Sequence, residues 1–344
     1  MARDVGNEEA GAFDPQTYAL VYVSDADPGI TREGEGPGVF YRDPQGAIIA
    51  EGATLERIRA LAIPPAWTKV WICLLPGGHI QAVGRDARGR KQYRYHSLWR
   101  AFRDEAKFER VHAFGRALPR LRARVEADLS RRGLCRERVL AGVVRLLELT
   151  LLRIGNAEYA KCNKSFGLTT LRKRHVALSG AGAVFEFRAK SGIMRRTGFH
   201  DRRLARLLRT CESLPGQRLF QYVDAEGERH HIESGDVNAY IRDAMGEDFS
   251  AKDFRTWAAS LAAARALSAE PPPASEAAAK RAIMRTVKAA AGLLGNTAAV
   301  CRSAYIHPIV IEAYRSGALG GRELGEGRRG EAQLLRLIER AARA

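Results

Sequence analysis

Residues Gly295 to Pro308 read GNTAAVCRSAYIHP. Asn296 is its second residue and Tyr305 follows nine residues later, with Arg302 three residues before that tyrosine and Pro308 three after. The preceding stretch, EAAAKRAIMRTVKAAAGLLG, is rich in helix formers, so a helix is expected to run into Gly295 and stop there. Thr297 is placed to cap a second helix that carries Tyr305, and Pro308 to end or kink it. Tyr305 is then either a core aromatic or a phenol held out for chemistry.

Working upstream, the texture stays helical. SAKDFRTWAASLAAARAL, SGDVNAYIRDAMG and DRRLARLLRTCESL repeat apolar residues at helical spacing, with Asp236 a candidate N-cap in the second. RERVLAGVVRLLELTLLRIGN carries a long apolar face and is predicted to stop at Gly155. A strand island interrupts the helices: HVALSG, then AVFEFRAKSGIMRRTGF, two alternating runs around a turn at Ala189–Gly192 with Lys190 at its tip. SAEPPPASE is a loop, and EGRRGEAQLLRLIERAARA reads as an amphipathic packing helix.

Upstream of about Arg103 the pattern changes to strands and turns. GVFYRDPQGAIIA has two apolar runs around Asp-Pro-Gln-Gly, VWICLLPGGHIQAVG is split by Pro-Gly-Gly, and a hairpin turns at Asp86–Gly89. One helix, Thr54–Leu61, interrupts them and stops before Pro64-Pro65. The expected fold is α+β: a small antiparallel-sheet N-terminal domain over residues 1–103 and a larger, mainly helical domain over 104–344 with a small β-hairpin sheet.

The chain has 344 residues, 46% of them hydrophobic, enough for two cores. Its formal net charge of +17 points to an anionic polymer as partner, with the arginine-rich coding of a high-GC genome as the bland alternative. No run of eighteen apolar residues is present, so no membrane span is expected. The N-terminal MARDVGNEEAGAFDPQ lacks an apolar signal core, which points to the cytoplasm. Five scattered cysteines without a C-x-x-C, and histidines without metal-ligand pairing, predict neither a disulfide framework nor a metal site.

The hairpin GRDARGRKQYRYH sets Arg85, Arg88, Arg90, Lys91 and Arg94 against a single acid, Asp86. Tyr93 and Tyr95 share one strand face. A ribbon of this kind fits a DNA groove, with Arg and Gln at base edges and tyrosine hydroxyls on phosphates. A solvated hairpin with tyrosines packed on its sheet is the bland alternative.

Further along, polar residues stand in awkward places. Arg153 ends an apolar run, where an unpaired cation needs an anion. Arg255 sits among apolar neighbours in KDFRTWAAS. Each has an ordinary explanation: Arg153 pairing with Glu148 or Glu158, Lys190 as a solvated turn residue, Arg255 pairing with Asp253 or a distant acid, Asn296 as a cap, Tyr305 as core.

The order and spacing of these residues carry more than any one of them. LLRIGNAEYA, KDFRTWAA, LGNTAAVCRSAYIHP and GHIQAVGRDARGRKQYRYH together resemble the type IB DNA topoisomerases, and most closely their poxvirus-like and bacterial branch. The resemblance spans about Gly78 to Pro308. It implies a catalytic domain of the topoisomerase IB/tyrosine recombinase type, preceded by a DNA-clamp domain. It implies that Tyr305 attacks a DNA phosphodiester to give a 3′-phosphotyrosyl link and a free 5′-hydroxyl. Arg153 and Arg255 would bind the non-bridging oxygens and Lys190 would protonate the leaving 5′-oxygen. Asn296 would hydrogen-bond a non-bridging oxygen where many relatives carry His. Gln92, Tyr93 and Tyr95 match DNA-contacting positions, with Arg90 and Lys91 beside them, and Tyr159 matches another.

These residue types suit that chemistry. A free tyrosine titrates near pH 10, so little phenolate exists at neutral pH. Two guanidinium groups can stabilise charge developing on phosphoryl oxygens, while lysine can give up its proton. Asparagine donates a hydrogen bond but cannot carry a proton, so Asn296 should position and polarise. The resemblance implies no cofactor, no ATP and no metal. The substrate would be double-stranded DNA at the nucleoid, and a monomer is expected. The nearest rival is a tyrosine recombinase or integrase, which usually shows H-x-x-R where this chain has Lys252-Asp-Phe-Arg255. A non-catalytic DNA-binding protein is the rival from another class.

Overall fold

The computed structural model describes residues 20–341 apart from Glu35 and Glu51; the N-terminal stretch that lacks a signal core lies outside them. The chain divides into two compact units, residues 1–108 and 109–344.

The first unit is built on an antiparallel sheet. Its strands are β1 (Gly29–Glu33), β2 (Phe40–Arg42), β3 (Thr68–Cys73), β4 (Ile80–Arg85) and β5 (Lys91–Tyr95), in the order β2-β1-β3-β4-β5. Helix α1 (Ala53–Ala60) contributes Ile58 to a core with Ile30, Val70, Ile72 and Ala82, and Trp67 packs against it. Asp86 makes the β4–β5 turn. Its carboxylate accepts from the backbone of Arg88 and Arg90 at 2.9 and 3.0 Å, and Gly89 takes the positive φ of 74° that the turn requires. Around Asp43–Gly46 the pairing is shorter than the sequence pattern suggests. β2 has three residues, and across the turn it makes one isolated bridge, Arg42 to Ile48.

Helix α2 (Ser97–Leu129) runs through the point where the two units divide. The second unit continues with α3 (Arg136–Thr150), α4 (Ala157–Asn163) and the antiparallel sheet β6 (Val176–Ser179), β7 (Gly182–Arg188), β8 (Met194–His200). Then come α5 (Arg202–Ser213), the two-stranded pair β9 (Gln221–Val223) and β10 (Arg229–His231), and α6 (Ser234–Met245). The chain closes with α7 (Ala251–Ala269), α8 (Glu276–Leu294), α9 (Ala298–Ala304), α10 (Pro308–Arg315) and α11 (Gly327–Ala341).

Helix α3 is the hub of this unit. It is buried from Val139 through Val144 and packs on α5, α6, α7, β8 and β9. Gly142 lets α5 approach, since a Cβ there would lie 2.3 Å from Leu207 Cδ2. α7 packs on the other core face, where Phe254 and Trp257 meet Phe114 of α2. The C-terminal helix α11 buries Leu334 and Ile338, and its Glu331 accepts two hydrogen bonds from Arg122 at 2.7 and 2.8 Å. Among the described residues no helix is long and apolar enough to cross a membrane.

Three local expectations are corrected. Helix α3 stops at Thr150, not at Gly155: Leu151 turns left-handed with φ 53°, and the chain continues without helix through Arg153. Gly155 serves close approach instead. Arg153 O and Ile154 O accept from Leu168 N and Thr169 N at 2.9 and 2.7 Å, and a Cβ on Gly167 would sit 2.6 Å from Gly155 Cα. Asp236 is the third residue of α6 rather than its N-cap. Glu233 holds that position, and Asp236 Oδ2 accepts from its backbone N–H at 2.9 Å. Pro308 begins a helix rather than ending one. α9 is over at Ala304, and Pro308 takes the first position of α10, where its missing N–H costs nothing.

Candidate active site

Four loops and helix ends of the second unit bring the dispersed cations together. One open pocket is lined by Arg153, Lys190, Arg255 and Gly295, together with Arg195. Arg153 arrives on the non-helical segment after α3. Lys190 lies in the β7–β8 connection, a tight turn with Ser191 and Gly192 at positive φ, closed by Ala189 N–H to Ile193 O at 2.8 Å. Gly295 is the left-handed turn that ends α8 and delivers Asn296 beside Arg153, whose guanidinium donates to Asn296 Oδ1.

Arg255 explains why helix ends converge here. It lies one turn into α7, only 4% exposed, and is not paired with Asp253. That acid instead caps its own helix, accepting from Ser250 N at 2.8 Å. Arg255 donates to Leu151 O, at the C-terminus of α3, and to Leu294 O at 2.9 Å, at the C-terminus of α8. Helix C-termini present unsatisfied carbonyls and the negative end of the macrodipole, so they can hold a buried cation without a carboxylate. Burial, then the charge of Arg153, pulls the Arg255 pKa below its ordinary value. Among the described residues neither Arg153, Lys190, Arg195 nor Arg255 has an ion-pair partner. A cluster of cations without carboxylate partners favours an anionic group.

Tyr305 lies at the joint between α9 and α10, half-buried, with its ring centroid 5.2 Å from the Arg255 guanidinium carbon. Burial alone would raise its pKa. The charges of Arg255 and Arg153 outweigh that, with the Asn296 amide adding in the same direction, so the phenol sits below the ordinary tyrosine range. The Asn296 Nδ2 donor is itself buried and has no hydrogen-bond partner. An orphaned buried donor is costly unless something completes it, and an oxyanion reaching Asn296 beside Arg153 would; neither Asn296 nor Tyr305 lines the pocket itself.

Sequence reasoning passed over two residues here. Ser260, buried on α7, donates to Tyr305 O at 3.2 Å and accepts from His307 N at 2.9 Å, so it clamps the backbone on both sides of Ile306. Arg195 of β8 lines the pocket and donates to Gly292 O at 3.1 Å and to Leu293 O. Strand alternation could have found it, because it shares its face with Phe199. Ser260 had only the signal of a lone polar residue in an alanine-rich apolar stretch.

The other candidate positions have local partners of their own. Tyr159 is half-buried on α4, with its N–H capped by Asn156 Oδ1 at 2.8 Å, and does not line the pocket. In the first unit, Tyr93 and Tyr95 stack at 5.7 Å on one face of β5, as alternation predicts. Arg90 pairs with Asp86 at 2.7 Å and Lys91 with Asp25 at 2.8 Å. Gln92 Nε2 donates to Asp86 Oδ2 at 3.0 Å, so that acid organises the basic ribbon. Its carboxyl is held at about 2, chiefly by the hydrogen bond from Arg90.

Residues 96–318 match the family model described as the catalytic core of eukaryotic DNA topoisomerase I. Residues 38–86 match that of the N-terminal domain of bacterial DNA topoisomerase IB. The chain belongs to the type IB DNA topoisomerase family. It is 32% identical over 295 residues to DNA topoisomerase 1B of Acanthamoeba polyphaga mimivirus, covering 84% of this chain and 88% of that protein. It is 24% identical over 236 residues to DNA topoisomerase 1B of Vaccinia virus (strain Copenhagen), covering 67% and 71%. These relatives and the bacterial N-terminal match place it in the poxvirus-like and bacterial branch, an enzyme that acts on DNA.

Proposed function

We propose that this enzyme relaxes supercoiled duplex DNA by nicking and resealing one strand through Tyr305. The scissile phosphate would enter the pocket beside the Tyr305 ring. The phenolic oxygen attacks phosphorus, forming a 3′-phosphotyrosyl bond and breaking the bond to the 5′-oxygen. The phenol's proton is released to solvent, and the leaving 5′-oxygen takes one from Lys190 Nζ; religation reverses both transfers. Arg153 and Arg255 stabilise the phosphoryl oxygens, and Asn296 Nδ2 donates to one of them. The ester conserves the energy of the broken bond, so resealing draws on no ATP, and the guanidinium groups supply the charge stabilisation that a metal would. The catalytic unit shares its fold with the tyrosine recombinases. The ribbon bearing Arg90, Lys91, Gln92, Tyr93 and Tyr95 grips the duplex as part of a clamp, with Tyr159 a further contact. A monomer suffices, since one tyrosine cuts one strand, and the substrate places the enzyme at the cytoplasmic nucleoid.

One observation carries this reading: a buried arginine held by two helix C-termini, without a carboxylate, lies against a half-buried tyrosine. The test is relaxation of a supercoiled plasmid in EDTA without ATP, with a denaturant quench to trap protein joined to DNA. Tyr305→Phe removes one oxygen, so it should bind DNA normally, form no adduct and relax nothing. An enzyme that requires ATP or paired specific sites, or a phenylalanine variant that still nicks, would refute it.

A further inference from the structure

Lys190 poses a positioning problem. A proton donor must stay within hydrogen-bond reach of the leaving oxygen. Yet Lys190 is exposed, at the tip of a two-strand connection, and the next residue stands at a φ of 65°. The strand that follows the tip, β8, is an edge strand of its sheet. Something must hold that tip against the rest of the pocket.

Arg195, five residues further along the same hairpin, is bonded across to α8. It donates to Gly292 O at 3.1 Å and to Leu293 O, two carbonyls in the last turn of the helix. A cation suits that end of the macrodipole. The α8 terminus is also what delivers Asn296. A Cβ built on Gly295 would lie 3.1 Å from Arg195 Nη1, so the guanidinium rests directly on that turn. Register fixes the relation to Lys190, because Met194, adjacent to Arg195, pairs with Arg188 at the base of the Lys190 turn.

We infer that Arg195 is a positioning residue for proton donation: it latches the Lys190 hairpin to the C-terminal turn of α8. This rests on the assignment of Lys190 as the acid, and the experiment separates the two. The substrate is a duplex with sulfur replacing the 5′-bridging oxygen, at a cleavage position first mapped with the unmodified enzyme. A thiol is far more acidic than an alcohol, so a thiolate leaves without a donated proton.

Arg195→Ala should cleave the ordinary duplex about 10- to 100-fold more slowly, part of the loss expected for general-acid failure. On the sulfur duplex it should come within about threefold of the unmodified enzyme. Arg195→Lys, which keeps the charge and one donor group, should recover part of the oxygen-substrate rate and melt like the parent. If Arg195→Ala is equally slow on both duplexes, or normal on both, the latch is wrong, and Arg195 either acts on the phosphate itself or does nothing. If instead Lys190→Ala fails to regain activity with sulfur, the assignment of Lys190 as acid falls, and the latch with it.

Discussion

Arg255→Lys is the substitution that separates charge from geometry. The guanidinium spans two carbonyls, Leu151 O and Leu294 O, at the ends of two helices, from a site 4% exposed to solvent. Lysine keeps the charge but brings one nitrogen, so it reaches one carbonyl at a time. The other buried acceptor loses its donor, which costs about 1–3 kcal/mol of stability. For a unit of this size that lowers Tm by about 2–12 °C. The same change removes the fork that would hold two phosphoryl oxygens. Loss of one such contact in the transition state slows chemistry about 10²- to 10³-fold. DNA affinity is spread over many phosphate contacts and should shift by less than about threefold. The assays are thermal melting, equilibrium binding and single-turnover cleavage of a short duplex whose cut end dissociates. A variant that cleaves within about threefold of the parent would show that the fork is irrelevant to the transition state. One that loses cleavage but melts unchanged would show that the two carbonyls are not braced by this side chain.

Other outcomes follow from the same geometry. Asn296→Ala should slow cleavage and religation by about 10- to 1000-fold, by analogy with lost oxyanion donors, while Asn296→His stays active; an alanine variant with parental rates would count against the amide. Ser260→Ala strips an acceptor from His307 N–H and a donor from Tyr305 O, so it should cost about 1–3 kcal/mol of stability. It should slow cleavage and religation by the same factor, because both need the phenol in one place; a shifted cleavage equilibrium would refute that. His175 has its pKa lowered from 6.5 to about 4 by burial and by Arg174 and Arg172, and its Nδ1 accepts from Arg172 N at 3.1 Å. Between those pH values the unfolded chain binds the extra proton, so stability is full above 6.5 and falls as pH drops towards 4. The loss is about 2 kcal/mol after allowing for solvent screening. Melting temperatures of His175→Gln across that window should fall less steeply than the parent's, and parallel curves would remove His175 from the account.

Much of the fold was legible because the local signals were consistent. Helix α8 had formers throughout and a glycine to stop it; the Asp86 turn had an acid to cap its own backbone and a glycine for the positive φ. The errors fell where a tertiary demand overrode a local cue. Gly155 looked like a helix stop, but Leu151, which no propensity favours in the left-handed region, ends α3 four residues earlier. The early stop turns Leu151 O towards Arg255 and frees Arg153 from the helix to meet Asn296. A sequence pattern that knows only neighbours cannot see an arginine more than a hundred residues away.

The same division runs through the site. Arg153 and Arg255 stand out in the string as cations among apolar residues, whereas Lys190, Asn296 and Tyr305 each have an ordinary reading and are singled out by the resemblance to the topoisomerase family. Arg195 and Ser260 act through backbone carbonyls and N–H groups, which every residue possesses, and so nothing in the string marks their partners. The residues that would touch a substrate are chosen for chemistry and leave a chemical trace. Those that hold them in place are chosen for reach, and reach exists only once the chain has folded. A sequence comparison that tracks the awkward residues alone will therefore recover the reaction and miss the bracing, which is where the substitutions above should first separate related enzymes in rate rather than in kind.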